Sequence, residues 1–146
     1  MAEVKKSKRF FMKMSKLPSG TAQQRKTSYS KYHGIKNYPA ASYIQAKRVL
    51  ARALTPHRVP EPFKGPILLE VEYRYETKEK KKFYKLKTTR PDGDNLIKVL
   101  KDRMTELGFF NDDSEVAIES MSRFYVPRGE GGISVYIAEV SEDVYK

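Results

Sequence analysis

The chain has 146 residues and a formal net charge of +11, with 29 Lys and Arg against 18 Asp and Glu. Its length is that of one domain with its own core, and its positive charge is typical of proteins that bind nucleic acid. The absence of Cys excludes disulfides, thiolate metal sites and a Cys nucleophile. Because no apolar run approaches the length of a membrane span, we expect a cytoplasmic protein with no membrane partner.

The N-terminal quarter is strongly basic. Residues 1–37 contain ten Lys and Arg and a single acid, Glu3. We expect this segment to be loop-like and partly flexible. Arg25 and Lys26 are followed by Tyr29 and Tyr32, and this mixture of cations and aromatics suits contact with phosphates and unstacked bases. The alternative is a solvated tail.

The next elements are a helix and a strand. Residues 39–54 carry an apolar stripe with a period of 3.6, which predicts a helix packed on a sheet. The four prolines of residues 55–66 cannot continue that helix and indicate an extended connector. Residues 67–77 alternate between apolar and polar side chains, which predicts a half-buried strand.

A second strand is predicted over residues 83–89. It would bring Lys85, Lys87 and then Arg90 beside a phosphate chain. A solvated edge strand protected by lysines is an equal alternative, since natural sheets often place Lys at their edges.

The central helix is predicted over residues 95–107 and ends at Gly108, a typical C-terminal cap. Strands are predicted over residues 115–126 and 133–140 from their alternating side chains. We therefore expect residues 1–146 to form a single α+β domain, in which two main helices pack on a mixed or antiparallel sheet.

Four carboxylates flank the central helix. Asp92 and Asp94 precede it, and Asp112 and Asp113 follow it. The helix is about 20 Å long at 1.5 Å per residue, so the two pairs meet only if residues 108–111 lead back along the sheet. If they meet, hard oxygen ligands of this kind suit Mg²⁺ or Mn²⁺. Helix capping is the alternative for the first pair.

Lys98 lies one helical turn after Asp94, on the same face. Its ammonium group could neutralise charge on a phosphorus centre in the transition state of phosphodiester cleavage. The alternative is an ion pair with Asp94 or Asp102 on the same helix.

These residues form a recognisable motif. The sequence R-P-D-G-D-N-L-I-K, the following Asp102 and the downstream N-D-D-S-E-V resemble the signature of the RusA family of Holliday junction resolvases. The resemblance implies that Asp92, Asp94 and Asp113 bind Mg²⁺ with Asp112 as their neighbour, and that Lys98 is the catalytic lysine. It also implies a homodimer that resolves four-way DNA junctions by paired symmetric nicks, in a bacterial or phage-infected cell.

Two other functions stay open on sequence grounds. One is a basic nucleic-acid-binding module without catalysis, but the retained motif residues favour an enzyme. The other is a metal-dependent nuclease that acts on different branched DNA, which the sequence does not distinguish from a junction resolvase. No motif assigns a role to His33 or His57.

Overall fold

The computed structural model describes residues 3–18, 25–30, 34–39, 41–89 and 93–144. It contains eight principal elements, which run in the order β1, β2, β3, α1, β4, α2, β5, β6. Their bounds are β1 Val4–Lys13, β2 Arg25–Ser30, β3 Gly34–Pro39, α1 Ala41–Leu54, β4 Ile67–Glu76, α2 Gly93–Glu106, β5 Val116–Val126 and β6 Gly132–Val140. The predicted α+β fold is confirmed, and both helices begin and end within two residues of their predicted limits.

A mixed four-stranded sheet, with the order β1-β6-β4-β5, forms the centre of the fold. Strand β4 pairs antiparallel with β6, so that Val71 lies opposite Val135, and parallel with β5, so that Val71 lies opposite Met121. Because β4 and β5 are parallel neighbours, α2 is the crossover helix of a β–α–β unit. This topology places α2 and its charged residues beside β5.

The core lies between the sheet and the two helices. Alternate residues of β4 point into it and are almost completely buried: Ile67, Leu69, Val71 and Tyr73. They meet the apolar stripes of both helices, represented by Leu50 in α1 and Leu100 in α2. Gly108 follows α2 with a φ of +84°, a left-handed conformation that favours Gly over other residues. No helix in the described part of the chain is long and apolar enough to cross a membrane.

The prediction of a loop-like segment over residues 1–37 was wrong where the structure describes it. Strand β1 pairs antiparallel with β6, and its Phe10 and Met12 are buried in the core. The Lys and Arg residues that precede Phe10, and the exposed Phe11 between Phe10 and Met12, concealed this alternation, although Lys is a common residue of edge strands. Strands β2 and β3 form a separate antiparallel hairpin.

The prediction of a strand over residues 83–89 was also wrong. A 3₁₀ turn at Lys80–Lys82 is followed by Tyr84 at a φ of +62° and by a single bridge between Leu86 and Phe124. Leu86 is 74% exposed, so the segment has no apolar face to bury. It nevertheless lies along the outer edge of β5, where the Lys87 amide donates to the Arg123 carbonyl at 2.8 Å.

Candidate functional site

Three charged residues share one side of α2 because they are four residues apart: Asp94, Lys98 and Asp102. Asp94 lies in the first turn, where the free N–H groups of the helix favour a carboxylate. Asp94 and Lys98 are exposed, and Asp102 is half-buried. No carboxylate of the described residues is close enough to Lys98 for an ion pair. The alternative of a salt bridge from Lys98 to Asp94 or Asp102 is therefore not formed.

Asp112 and Asp113 lie at a 3₁₀ turn, Asp113–Glu115, which leads into β5. The Asp112 carboxylate accepts hydrogen bonds from the Ser114 hydroxyl at 2.8 Å and from the Ser114 amide at 3.4 Å. These bonds lower the pKa of Asp112 below its usual range. Glu115 holds the turn from its other end, since its carboxylate accepts from the Gly65 amide at 2.8 Å.

The returning chain brings Asp113 back to α2. Burial raises the pKa of Asp102, and the negative charge of Asp113 raises it further, against the lowering effect of Lys98. Asp102, Asp112 and Asp113 line one cavity of about 300 Å³ between α1 and α2. The second acidic pair thus approaches the later part of the helix, at Asp102.

Asp94 lines a different cavity, of about 380 Å³, between the first turns of α2 and strand β5. It is eight residues before Asp102, which corresponds to about 12 Å along a helix at 1.5 Å per residue. Among the residues that the structure describes, no three His, Asp or Glu side chains are grouped closely enough to hold a metal ion. Asp92, which the sequence predicts as a ligand, lies outside the described residues.

The donors that are present have the chemistry that Mg²⁺ requires. The carboxylates of Asp94, Asp102, Asp112 and Asp113 supply only hard oxygen atoms. Burial is the main cause of the raised pKa of Asp102, and repulsion by the negative charge of Asp113 adds to it. A divalent cation would relieve this repulsion, so the donor set fits the predicted metal.

The predicted DNA-binding cations are partly described. Arg25 and Lys26 lie in β2, whose backbone alone is described, and Arg90 lies outside the described residues. Lys85 is exposed, whereas the Lys87 ammonium lies 5.0 Å from the Tyr75 ring centre and 5.4 Å from that of Tyr125. Lys87 also donates a short hydrogen bond to the Thr89 hydroxyl. Cation and aromatic rings thus lie together just before the acidic motif.

Comparison with known protein families identifies the family to which the chain is similar. The sequence profile of the family described as "Endodeoxyribonuclease RusA" matches residues 17–138, which is most of the chain and includes α2 and the acidic residues on both sides of it. The chain belongs to the RusA family. The resemblance on which the site prediction rests is therefore confirmed at the level of the family.

Two relatives resemble this RusA family member over different lengths of the chain. The "Crossover junction endodeoxyribonuclease rusA" of Lactococcus phage r1t is 47% identical over 51 residues, which are 35% of this chain and 39% of the phage protein. The "Uncharacterized protein YqaN" of Bacillus subtilis strain 168 is 35% identical over 106 residues, which are 65% of this chain and 72% of that protein. The chain thus matches well under half of the phage endonuclease.

Two contributors to this RusA-type site were not predicted. Asp102 was named as part of the RusA-like motif and as an alternative partner of Lys98 but not as a site residue, although its spacing of eight from Asp94 places both on one helical face. Arg123 was not singled out, because the apolar residues that indicated β5 include Ile118 and Phe124, which are in phase with each other and out of phase with Arg123. The signal for Arg123 was the other phase of the strand, Glu119, Met121 and Arg123, which borders the cavity at Asp94.

Proposed function

We propose that this protein is a Mg²⁺-dependent, structure-specific endonuclease that resolves four-way DNA junctions by paired symmetric nicks. Membership of the RusA family and the name of the phage relative support the reaction class. The observation that carries the proposal is that the returning chain brings Asp112 and Asp113 to one cavity with Asp102 of α2, in a chain of net charge +11. A strongly basic protein gains affinity for DNA from its cations, whereas crowded carboxylates favour a metal ion.

Each motif residue has a role in this proposal. Asp92, Asp94 and Asp113 would hold Mg²⁺, or Mn²⁺ in its place, with Asp112 as the neighbouring carboxylate. Asp102, which shares a cavity with Asp112 and Asp113, would add negative charge beside them. A bound divalent cation supplies a Lewis acid for the scissile phosphate and lowers the pKa of an attacking water. The Lys98 ammonium, which makes no ion pair with the described carboxylates, is exposed and can contact a phosphate oxygen as negative charge develops there.

The basic side chains would bind the DNA backbone. Lys85 and Lys87 precede the acidic motif on a segment that lies along β5, and Arg90, Arg25 and Lys26 are the further candidates. Binding through phosphates releases counterions, so the affinity should fall steeply as salt increases.

We further propose that the active form is a homodimer in the cytoplasm of a bacterial or phage-infected cell. A four-way junction is close to two-fold symmetric, and two matched cuts in it require two sites related by the same symmetry. One acidic centre per subunit would then cut one strand each.

The test is cleavage of a labelled synthetic four-way junction, beside a replication fork and a linear duplex, with Mg²⁺ or with EDTA. We expect Mg²⁺-dependent nicks in the junction alone, and none from Asp92→Asn or Asp94→Asn, which remove a charge at nearly constant shape. Glu70→Gln is the matched control, because Glu70 is an exposed carboxylate that alternates with the buried, helix-facing residues of β4 and so lies on the other face of the sheet.

Three other results would contradict the proposal, and each would favour a different conclusion. Binding without cutting by the wild-type protein would favour a nucleic-acid-binding module. Cutting of all three substrates would favour a metal-dependent nuclease with a different target. Cutting by Asp94→Asn at the rate of Glu70→Gln would contradict the assignment of Asp94 to the metal.

A further inference from the structure

Residues 84–89 are attached to the outer edge of β5 by a series of hydrogen bonds. The Tyr84 amide donates to the Tyr125 carbonyl at 2.7 Å, the Tyr125 amide to the Lys85 carbonyl at 3.0 Å, and the Lys87 amide to the Arg123 carbonyl at 2.8 Å. The backbone of β5 thereby guides the chain toward the acidic motif, which begins directly after Thr89.

The next hydrogen bond in this series comes from a side chain. The Arg123 guanidinium donates from Nη1 to the Thr89 carbonyl at 2.9 Å. Thr89 is the last described residue before Arg90, Pro91 and Asp92. Arg123 and Lys87, which donates to the Thr89 hydroxyl, therefore both hold the chain as it enters these three residues.

The same guanidinium also reaches the residue on the other side. A Cβ atom built on Gly93 would lie 3.8 Å from Arg123 Nε, and Arg123 lines the cavity that contains Asp94. Arg123 is therefore adjacent to both Thr89 and Gly93, the described residues that flank positions 90–92. Further along the helix, Glu119 of β5 forms an ion pair with Lys101 of α2 at 2.7 Å.

We propose that Arg123 is a positioning residue of the endonuclease, which fixes the first turn of α2 and its Asp94 relative to β5. This inference rests on the proposed function for its consequence, but for its geometry it rests on the hydrogen bond to Thr89 and on the cavity that Arg123 lines with Gly93 and Asp94. A planar guanidinium can donate to one group and pack against another at the same time, which a Lys ammonium does not reproduce. Cleavage is sensitive to such placement, since a shift of 1 Å can reduce a rate by about 100-fold.

The test compares Arg123→Met and Arg123→Lys with Arg128→Met, which removes the same charge from the exposed loop after β5. Three quantities are measured: the single-turnover cleavage rate at saturating protein over a range of Mg²⁺ concentrations, junction affinity in EDTA, and hydrogen exchange of the amides in the first turns of α2. We expect both Arg123 variants to cleave about 10- to 100-fold more slowly, to need more Mg²⁺ and to exchange faster in α2. Their junction affinity in EDTA should equal that of Arg128→Met.

Three results would overturn the inference. Unchanged exchange in α2 together with an unchanged rate would show that Arg123 does not position the helix. A loss of junction affinity in EDTA beyond that of Arg128→Met would show that Arg123 instead contacts a phosphate directly. Full activity of Arg123→Lys would show that the charge alone matters, and this variant carries the test if Arg123→Met does not fold.

The experiment distinguishes failure of the proposed function from failure of the inference about Arg123. If the wild-type protein does not cut the junction, the endonuclease proposal fails. Hydrogen exchange in the Arg123 variants still decides whether Arg123 holds the first turn of α2.

Discussion

Two neighbouring tyrosines under the candidate site should respond to the same substitution with opposite signs. Tyr73 and Tyr75 lie on the helix-facing side of β4, with ring centres 6.5 Å apart. The buried Tyr73 hydroxyl donates to the Leu96 carbonyl of α2 at 3.1 Å. The Tyr75 hydroxyl is also buried but has no hydrogen-bond partner among the described residues.

The difference in hydrogen bonding determines the expected energies. Tyr73→Phe removes a buried hydrogen bond and should lower the free energy of unfolding by about 1 kcal/mol. Tyr75→Phe removes an unsatisfied hydroxyl, whose burial costs about 1–3 kcal/mol, and should raise the free energy of unfolding by about 1 kcal/mol. For a chain of this length, each change corresponds to a shift in Tm of about 2–4 °C.

Urea unfolding followed by circular dichroism measures both variants against the wild-type protein. The two variants are matched in chemistry, strand and face, so the sign of the difference isolates the hydrogen bond. If Tyr75→Phe is destabilised as much as Tyr73→Phe, the Tyr75 hydroxyl does have a hydrogen-bond partner, and the predicted opposite signs are wrong.

Three further predictions concern pH, DNA and the turn before β5. Burial is the main cause that raises the pKa of Tyr75 from 10.0 to about 12, and it raises the pKa of Tyr73 further. The folded state then keeps protons that the unfolded chain releases, so the free energy of unfolding should fall as pH rises above 10. A free energy of unfolding in urea that stays constant from pH 9 to 11 would refute this prediction. Lys85→Ala should reduce the salt slope of junction binding by about 1 without loss of stability, and an unchanged slope would remove Lys85 from the DNA interface. Glu115→Ala loses the acceptor of the Gly65 amide and should lower both the free energy of unfolding, by about 1 kcal/mol, and the cleavage rate; unchanged stability in urea would contradict a holding role.

The parts of the fold that were predicted correctly have a strong periodic pattern. Both helices and strand β4 show the period of their own structure, and this period identified them. Shorter alternating runs located β5 and β6 to within one residue of their observed bounds. Strand β1 was missed because its first half is a run of Lys and Arg, and because the exposed Phe11 lies between the inward-facing Phe10 and Met12 and hides their alternation. The segment around Leu86 was wrongly predicted to be a strand, since short-range alternation does not show whether a side chain is buried in a core.

The candidate site also has a part that local spacing predicts and a part that depends on contacts between distant residues. Helical spacing alone places Asp94, Lys98 and Asp102 on one side of α2. The approach of Asp113 to Asp102 depends on how the chain returns after Gly108, where the amide of the distant Phe63 donates to the Phe109 carbonyl at 2.8 Å. The hydrogen bond from Arg123 to Thr89 likewise joins positions 34 residues apart along the chain, and Gly93, which lines the same cavity as Arg123, is also distant in sequence. No local pattern encodes either relation.

If two sites cut one junction together, their paired action should be visible on a supercoiled plasmid that carries an extruded cruciform. Paired symmetric nicks within one encounter convert such a plasmid straight to a linear product, whereas an isolated nick relaxes it and removes the cruciform. We expect linear plasmid to form in Mg²⁺ without accumulation of nicked circles, and neither product to form in EDTA or with Asp94→Asn. Accumulation of nicked circles alone, or cutting of a plasmid that lacks the cruciform sequence, would contradict the account.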